Sequence, residues 1–177
     1  STSRRQRQMC IRDSDCTPGR LVESAVDHHK ENTMKNYEKT GKDPERKNVH
    51  LIIGGAFQGK LQYAETLYSK ICWYDGAECQ PEQLEKELTK IDGIVHFELL
   101  VRRWMEDGRE TEELTGLLMN RRKGLVVLIS DEIGYGLVPV DAFERKYREA
   151  HGRLMTDLAA QAQRVDRVVC GIGTRLR

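Results

Sequence analysis

The chain has 177 residues, of which 38% are hydrophobic and 32% charged, and a formal net charge of +1. That length holds one domain of ordinary size with a real core. The near-neutral balance leaves no footprint for nucleic acid or an anionic membrane, and no apolar run approaches the ~20 residues of a membrane span.

No secretory signal is expected near the N-terminus. Cys10, Cys16, Cys72, Cys79 and Cys170 are odd in number and lack zinc-ribbon spacing. Idle thiols in a reducing cytoplasm are therefore expected.

Residues 1–48 hold 11 basic and 8 acidic residues, a net of +3, whereas residues 49–177 hold 18 and 20, a net of −2. Large apolar residues are sparse and aperiodic before Val49. Such a segment buries too little surface to offset its ordering entropy. A disordered or non-native extension is expected over 1–48, with transient helix around 21–39. Met9 to Ser14 resemble translated adapter DNA, which makes Met34 a candidate natural start. Residues 49–177 are expected to form a nucleotide-binding domain.

From Val49 the pattern is α/β. "VHLIIGG" is a short β-branched run that ends in Gly-Gly, as a buried parallel strand does. "KLQYAETLYSK" follows with Leu61, Ala64, Leu67 and Tyr68 at helical spacing. A second strand is expected over 71–75, and Pro81 suits the first turn of the next helix. "DGIVHFELLVRRWMEDG" places Ile94, Phe97, Val101, Trp104 and Met105 on one broad apolar helical face. "TEELTGLLMN" predicts a short helix that Gly116 weakens. The clearest strand runs over 125–130. Asp141 and Glu144 stand at capping-box spacing ahead of a helix with Phe143, Tyr147, Ala150, Leu154, Leu158 and Ala162 on one face. A last strand is expected over 167–170. Strands alternating with helices imply a parallel sheet covered on both faces.

Two motifs carry chemistry. Gly54, Gly55, Ala56, Phe57, Gln58, Gly59 and Lys60 follow a strand and open a helix, as a phosphate-binding loop does. Loop amides and the helix N-terminus supply partial positive charge, and Lys60 adds a full one. Leu61 stands where such loops place a Ser or Thr hydroxyl, and its side chain cannot ligate magnesium. Backbone cradling is unaffected, so phosphate binding is predicted more securely than transfer. In "VVLISDEIGYGLVP", Asp131 and Glu132 end a buried strand, where ligands of parallel sheets sit. Asp131 is the candidate magnesium ligand, and Lys60 and Glu132 are the candidate catalytic residues.

"DEIGYGLVP", then "REAHGRL", then "VVCGIG", with "GGAFQGK" ahead of them, resemble the adenosylcobinamide kinase and adenosylcobinamide-phosphate guanylyltransferase family. The resemblance lies in residues 49–70 and 123–177, and the run over 134–139 is its most specific piece. It implies a P-loop NTPase-like three-layer α/β fold with a mainly parallel sheet. It implies ATP or GTP as phosphoryl donor, with magnesium, and a corrinoid substrate phosphorylated on its aminopropanol hydroxyl. It also implies GMP transfer from GTP through a guanylylated histidine, and a homo-oligomer, with a trimer as the first guess.

The chain departs from that family in three places. Leu61 replaces the loop hydroxyl. Met155 and Thr156 replace a polar pair after Gly152 and Arg153. The stretch between Lys60 and Asp131, which in the family carries the guanylyl-accepting histidine, is shorter. His96 is the one histidine in that stretch and reads as a histidine within a helix. "DHHKEN" over 27–32 resembles the family's histidine motif but lies upstream of the loop. Guanylyl transfer is therefore expected to be weak or absent. His50 and His151 read as structural or exposed. Arg145, Lys146, Arg148 and Arg153 form either a solvated face, with Glu144–Arg148 pairing at i,i+4, or contacts for phosphate or corrinoid amides. A rival to the enzyme is a non-catalytic nucleotide-binding module. Leu61 favours the module; Asp131 and Glu132 favour the enzyme.

Overall fold

A computed structural model describes residues 21–23, 47–78, 80–121 and 124–177. The elements in chain order are β1 (Leu21–Glu23), β2 (Lys47–Gly54), α1 (Lys60–Leu67), β3 (Cys72–Asp75), α2 (Pro81–Glu87), β4 (Gly93–Val95), α3 (Phe97–Glu106), α4 (Thr111–Met119), β5 (Val126–Asp131), α5 (Ala142–Gln161), β6 (Ala162–Val169) and β7 (Ile172–Arg175).

One sheet joins the described strands in the order β1-β3-β4-β5-β2-β6-β7. The neighbours from β3 to β6 are parallel, while β1 and β7 add antiparallel edges. In the central strands successive side chains enter opposite cores, as the two-residue period of a strand requires. Val49 and Leu51 of β2 and Val126 and Leu128 of β5 join the core under α2 to α5. Ile52, Val127, Ile129 and Val168 join the second core, under α1 with Ala64 and Tyr68. Among the described residues the two faces are covered unequally, by four helices and by one.

Local sequence accounts for the helix ends. Pro81 occupies the first turn of α2, and Gln80 and Gln83 cap it reciprocally. The Asp141 carboxylate accepts the Glu144 amide at 2.9 Å, the half of the expected capping box that holds the start of α5. On α3, Phe97, Leu100, Val101 and Trp104 are all fully buried. The Trp104 indole N–H donates to the Glu110 carbonyl at 3.0 Å, and the Arg109 guanidinium lies over its ring.

Several expectations are corrected. The apolar run after Asp92 is a strand and then a helix: β4 takes Gly93–Val95 and α3 begins at Phe97, so Ile94 faces the core from the sheet. His96 is not inside the helix; it is the left-handed joint (φ 50°) between β4 and α3. Ala162 opens β6 instead of closing α5, and the last strand starts there, five residues earlier than predicted. A further strand, β7, follows through a two-residue turn of Cys170 (φ 51°) and Gly171 (φ 78°). Two positive φ values in a two-residue loop match the right-handed twist of the strands they join.

Leu21–Glu23, inside the stretch expected to be transiently helical, is a strand paired with β3. The expectations for 1–20 and 24–46, including "DHHKEN", Met34, Cys10 and Cys16, lie outside the described residues, as does Cys79. Cys72 is half-buried and Cys170 exposed, both as free thiols. No helix among the described residues is long and apolar enough to cross a membrane.

Candidate functional site

β2 and β5 run side by side with Gly54 opposite Asp131, so the glycine loop leaves the sheet beside the acidic strand end. Gly54 is required by close approach: a Cβ there would collide with the Val168 carbonyl oxygen of β6. The loop then turns through Phe57 (φ 59°) and Gly59 (φ 80°), both left-handed, and α1 begins at Lys60. Glycine takes that backbone without strain, whereas Phe57 costs roughly 1–2 kcal/mol there and holds its ring wholly in solvent.

Among the described residues, no hydrogen-bond acceptor is seen for the main-chain N–H groups of 56–61. Lys60, only 7% exposed, donates to the Gly55 carbonyl at 2.8 Å and ion-pairs with Asp131. Unpaired amides and the open end of a helix bring partial positive charge to the loop, beside an ammonium whose charge is balanced by Asp131. A second tie holds the loop from behind. The Gln58 side-chain oxygen accepts the Cys170 amide at 2.7 Å, and its carbonyl accepts the Gly171 amide at 2.8 Å.

Lys60 and Asp131 are brought together, and Glu132 is turned aside. Its amide donates to the Gly54 carbonyl at 2.9 Å, and its carboxylate pairs with Arg167 at 3.0 Å. Leu61 is half-buried and packs against the second core. Among the described residues no group of three His, Cys, Asp or Glu side chains is placed to hold a metal.

Residues that sequence reasoning passed over complete the edge. Glu98, buried in the first turn of α3, accepts the Asp131 amide at 2.9 Å. Burial raises the pKa of its carboxyl. Ser130 Oγ meets His151 Nε2 at 3.0 Å inside the protein, and burial lowers that imidazole to about 4. At the ends of β3 and β4, Asp75 Oδ1 meets His96 Nδ1 at 2.8 Å. None of these has a local signal: the partners are 21 to 33 residues apart.

The basic helix residues point to the loop over 133–140 and to other acids. Arg145 donates to the Pro139 carbonyl at 2.9 Å, and Arg148 to the Leu137 carbonyl at 2.9 Å. The expected Glu144–Arg148 pair is replaced by Glu144–Arg102 at 2.6 Å, because Arg148 is held by the loop. Both His50 and His151 are buried, and neither is exposed.

A family model described as cobinamide kinase / cobinamide phosphate guanyltransferase matches residues 80–176, more than half of the chain. The chain belongs to this family. The match takes in His96, Glu98, Asp131, Glu132 and the loop over 134–139, runs through the middle of the chain where no resemblance was read from sequence, and begins after the glycine loop. The mostly parallel sheet with helices on both faces is the P-loop NTPase-like α/β fold of that family.

The chain is 42% identical over 52 residues to the bifunctional adenosylcobalamin biosynthesis protein CobU of Escherichia coli (strain K12). The same figures hold for the protein of that name from Salmonella typhimurium (strain LT2). Each aligned stretch spans 29% of this chain and 29% of the relative.

Proposed function

We propose that this protein is a nucleotide-dependent kinase that phosphorylates a hydroxyl of adenosylcobinamide, a corrinoid, with little or no guanylyl transfer. The Lys60–Asp131 pair carries the reading: it sits where the glycine loop and the acidic strand end meet, beneath amides that lack acceptors. The family's description and the relatives' part in adenosylcobalamin biosynthesis supply the substrate class.

The residues present fit a nucleoside triphosphate, ATP or GTP. Amides of Ala56, Phe57, Gln58, Gly59 and Leu61 would hold the phosphates, with Gly54 and Gly55 letting the strand end come close. Lys60 would leave Gly55 for the terminal phosphoryl group and stabilise charge that grows on it during transfer. Magnesium fits as a companion of the nucleotide, with Asp131 as its one protein carboxylate, since Mg2+ takes one or two carboxylates beside phosphate oxygens. When bound, it neutralises phosphate charge. Glu132 is the second catalytic candidate, and its pairing with Arg167 must break for it to reach substrate. A homo-oligomer belongs to the same proposal: Tyr135, Leu137, Val138 and Val140 leave an apolar row in water, a surface that a second copy covers.

A second reading, nucleotide binding without transfer, is favoured by the seating of the Leu61 side chain against the core, where no hydroxyl is available. Incubation with magnesium, labelled ATP or GTP and adenosylcobinamide separates the two. Label on the corrinoid that Lys60→Ala abolishes supports the kinase. Bound nucleotide with no label transferred supports the second reading. Transfer that survives Lys60→Ala refutes both. Leu61→Ser should raise transfer if the missing hydroxyl limits it.

A further inference from the structure

The carboxyl edge of the sheet holds a row of side chains, one strand apart. Asp75 ends β3, His96 follows β4, Asp131 ends β5, and Gly54 ends β2. Tyr74, Ile94 and Leu128 stand level, so Asp75, His96 and Asp131 lie one, two and three residues beyond them, and the row climbs by one residue per strand until Gly54, which is opposite Asp131. Strands lie about 4.8 Å apart, which puts roughly 10 Å between the β4 and β2 ends. In the kinase reading, a terminal phosphoryl group and the oxygen that attacks it would lie across that span, over the end of β5.

His96 is the unusual member. Its backbone is left-handed, its Nδ1 is fixed on Asp75 at 2.8 Å, and it is 53% exposed. No described residue hydrogen-bonds its Nε2. Asp75 is itself fixed, since its Oδ1 accepts the Ala77 amide at 2.8 Å. A carboxylate on Nδ1 selects the tautomer with the proton there, which leaves the Nε2 lone pair open to the site.

We infer that His96 is the general base for the acceptor hydroxyl and that Asp75 is its positioning residue, an assignment that rests on the kinase reading above. In the step, the substrate O–H breaks and its proton goes to Nε2. The oxygen bonds the terminal phosphorus, the bond from that phosphorus to its bridging oxygen breaks, and the electron pair leaves on the nucleoside diphosphate. The imidazolium then returns its proton to water.

The charges around His96 give the pH sign. Asp75 on β3, Glu98 on α3 and Asp131 on β5 all raise its pKa, and burial opposes them; Arg103 on α3 acts on Asp75. A base must be neutral, so turnover should rise with pH through a value above the ordinary 6.5 of histidine.

The test is steady-state transfer to adenosylcobinamide by the full chain and by His96→Asn and Asp75→Asn. Asn accepts left-handed backbone and can still donate to Asp75, so the first variant keeps the joint. His96→Asn should lower kcat by about 10²–10⁴-fold, leave the KM for nucleotide unchanged and remove the acid limb of the pH profile. Asp75→Asn should move that limb to lower pH. Turnover within about threefold of the unaltered chain, or an unchanged acid limb in either variant, overturns this assignment and leaves the kinase standing. No turnover by the unaltered chain, with nucleotide bound, overturns both.

Discussion

Two Asp–His pairs lie in this protein in contrasting environments, one closed and one open to water at its histidine. His50 and Asp166 are wholly buried between β2, β6 and α1, and every polar atom of the imidazole is engaged. Nε2 donates to Asp166 at 3.0 Å, and Nδ1 accepts from the Tyr68 hydroxyl at 2.6 Å. Asp166 also accepts from Tyr63 at 2.8 Å and from Arg164 at 2.9 Å. His96 and Asp75 meet at a similar hydrogen-bond distance, 2.8 Å, but leave the other ring nitrogen without a partner among the described residues. Burial pulls the His50 pKa down, while the bond to Asp75 pushes that of His96 up. The same two side chains build a closed structural knot in one place and an open proton acceptor in the other. Solvent access and the number of partners decide which.

The sharpest way to break this contrast is to delete each acid. Asp166→Ala removes the buried carboxylate that His50, Arg164 and Tyr63 share and should cost about 3–5 kcal/mol in urea unfolding. Asp75→Ala, at a pair whose histidine is exposed and whose acid is half-buried, should cost less, about 1 kcal/mol. Equal losses would show that the pairs do not differ in kind.

Stability against pH sharpens it next. The buried His50 and His151 bind protons less readily folded than unfolded, so their contribution is full above the unfolded value of 6.5 and falls away in acid. For His151 the window runs from 6.5 down to about 4 and holds on the order of 3 kcal/mol. His151→Gln should flatten the unfolding midpoint over that range. His96 has the opposite sign: its contribution is full below 6.5 and fades as pH rises through its higher folded value. A midpoint that rises monotonically on acidification would refute the assignment for the buried histidines.

Smaller changes test the knot's edges. Tyr63→Phe removes one hydrogen bond to Asp166 and should cost about 1 kcal/mol by the same unfolding measurement. Arg153→Ala removes an exposed i,i+4 pair with Glu149 and should move stability by less than about 0.5 kcal/mol. An effect there as large as that of Tyr63→Phe would remove burial as the explanation of the ranking.

The elements legible in the sequence are those with length or sharp punctuation. β2, with its glycine loop and α1, and β5, with Asp131, follow from apolar runs that end in glycines or acids. The α5 start follows from Asp141. β4 was hidden because three apolar residues before an amphipathic helix share its period, and Ala162 because it continues the α5 spacing into the sheet. Of the site, the meeting of Lys60 with Asp131 follows from the order of motifs along the chain. Asp75–His96 and Glu98–Asp131 do not, because each joins residues whose closeness is made only by strand order.

The turn at Cys170 and Gly171 grips Gln58 through two hydrogen bonds, so the final hairpin works as a latch on the glycine loop. If a triphosphate fills the loop as proposed and tightens this latch, the latch must tighten the grip on the triphosphate by the same factor. Triphosphate should slow protease clipping around 170–171, and a cut there should weaken its retention.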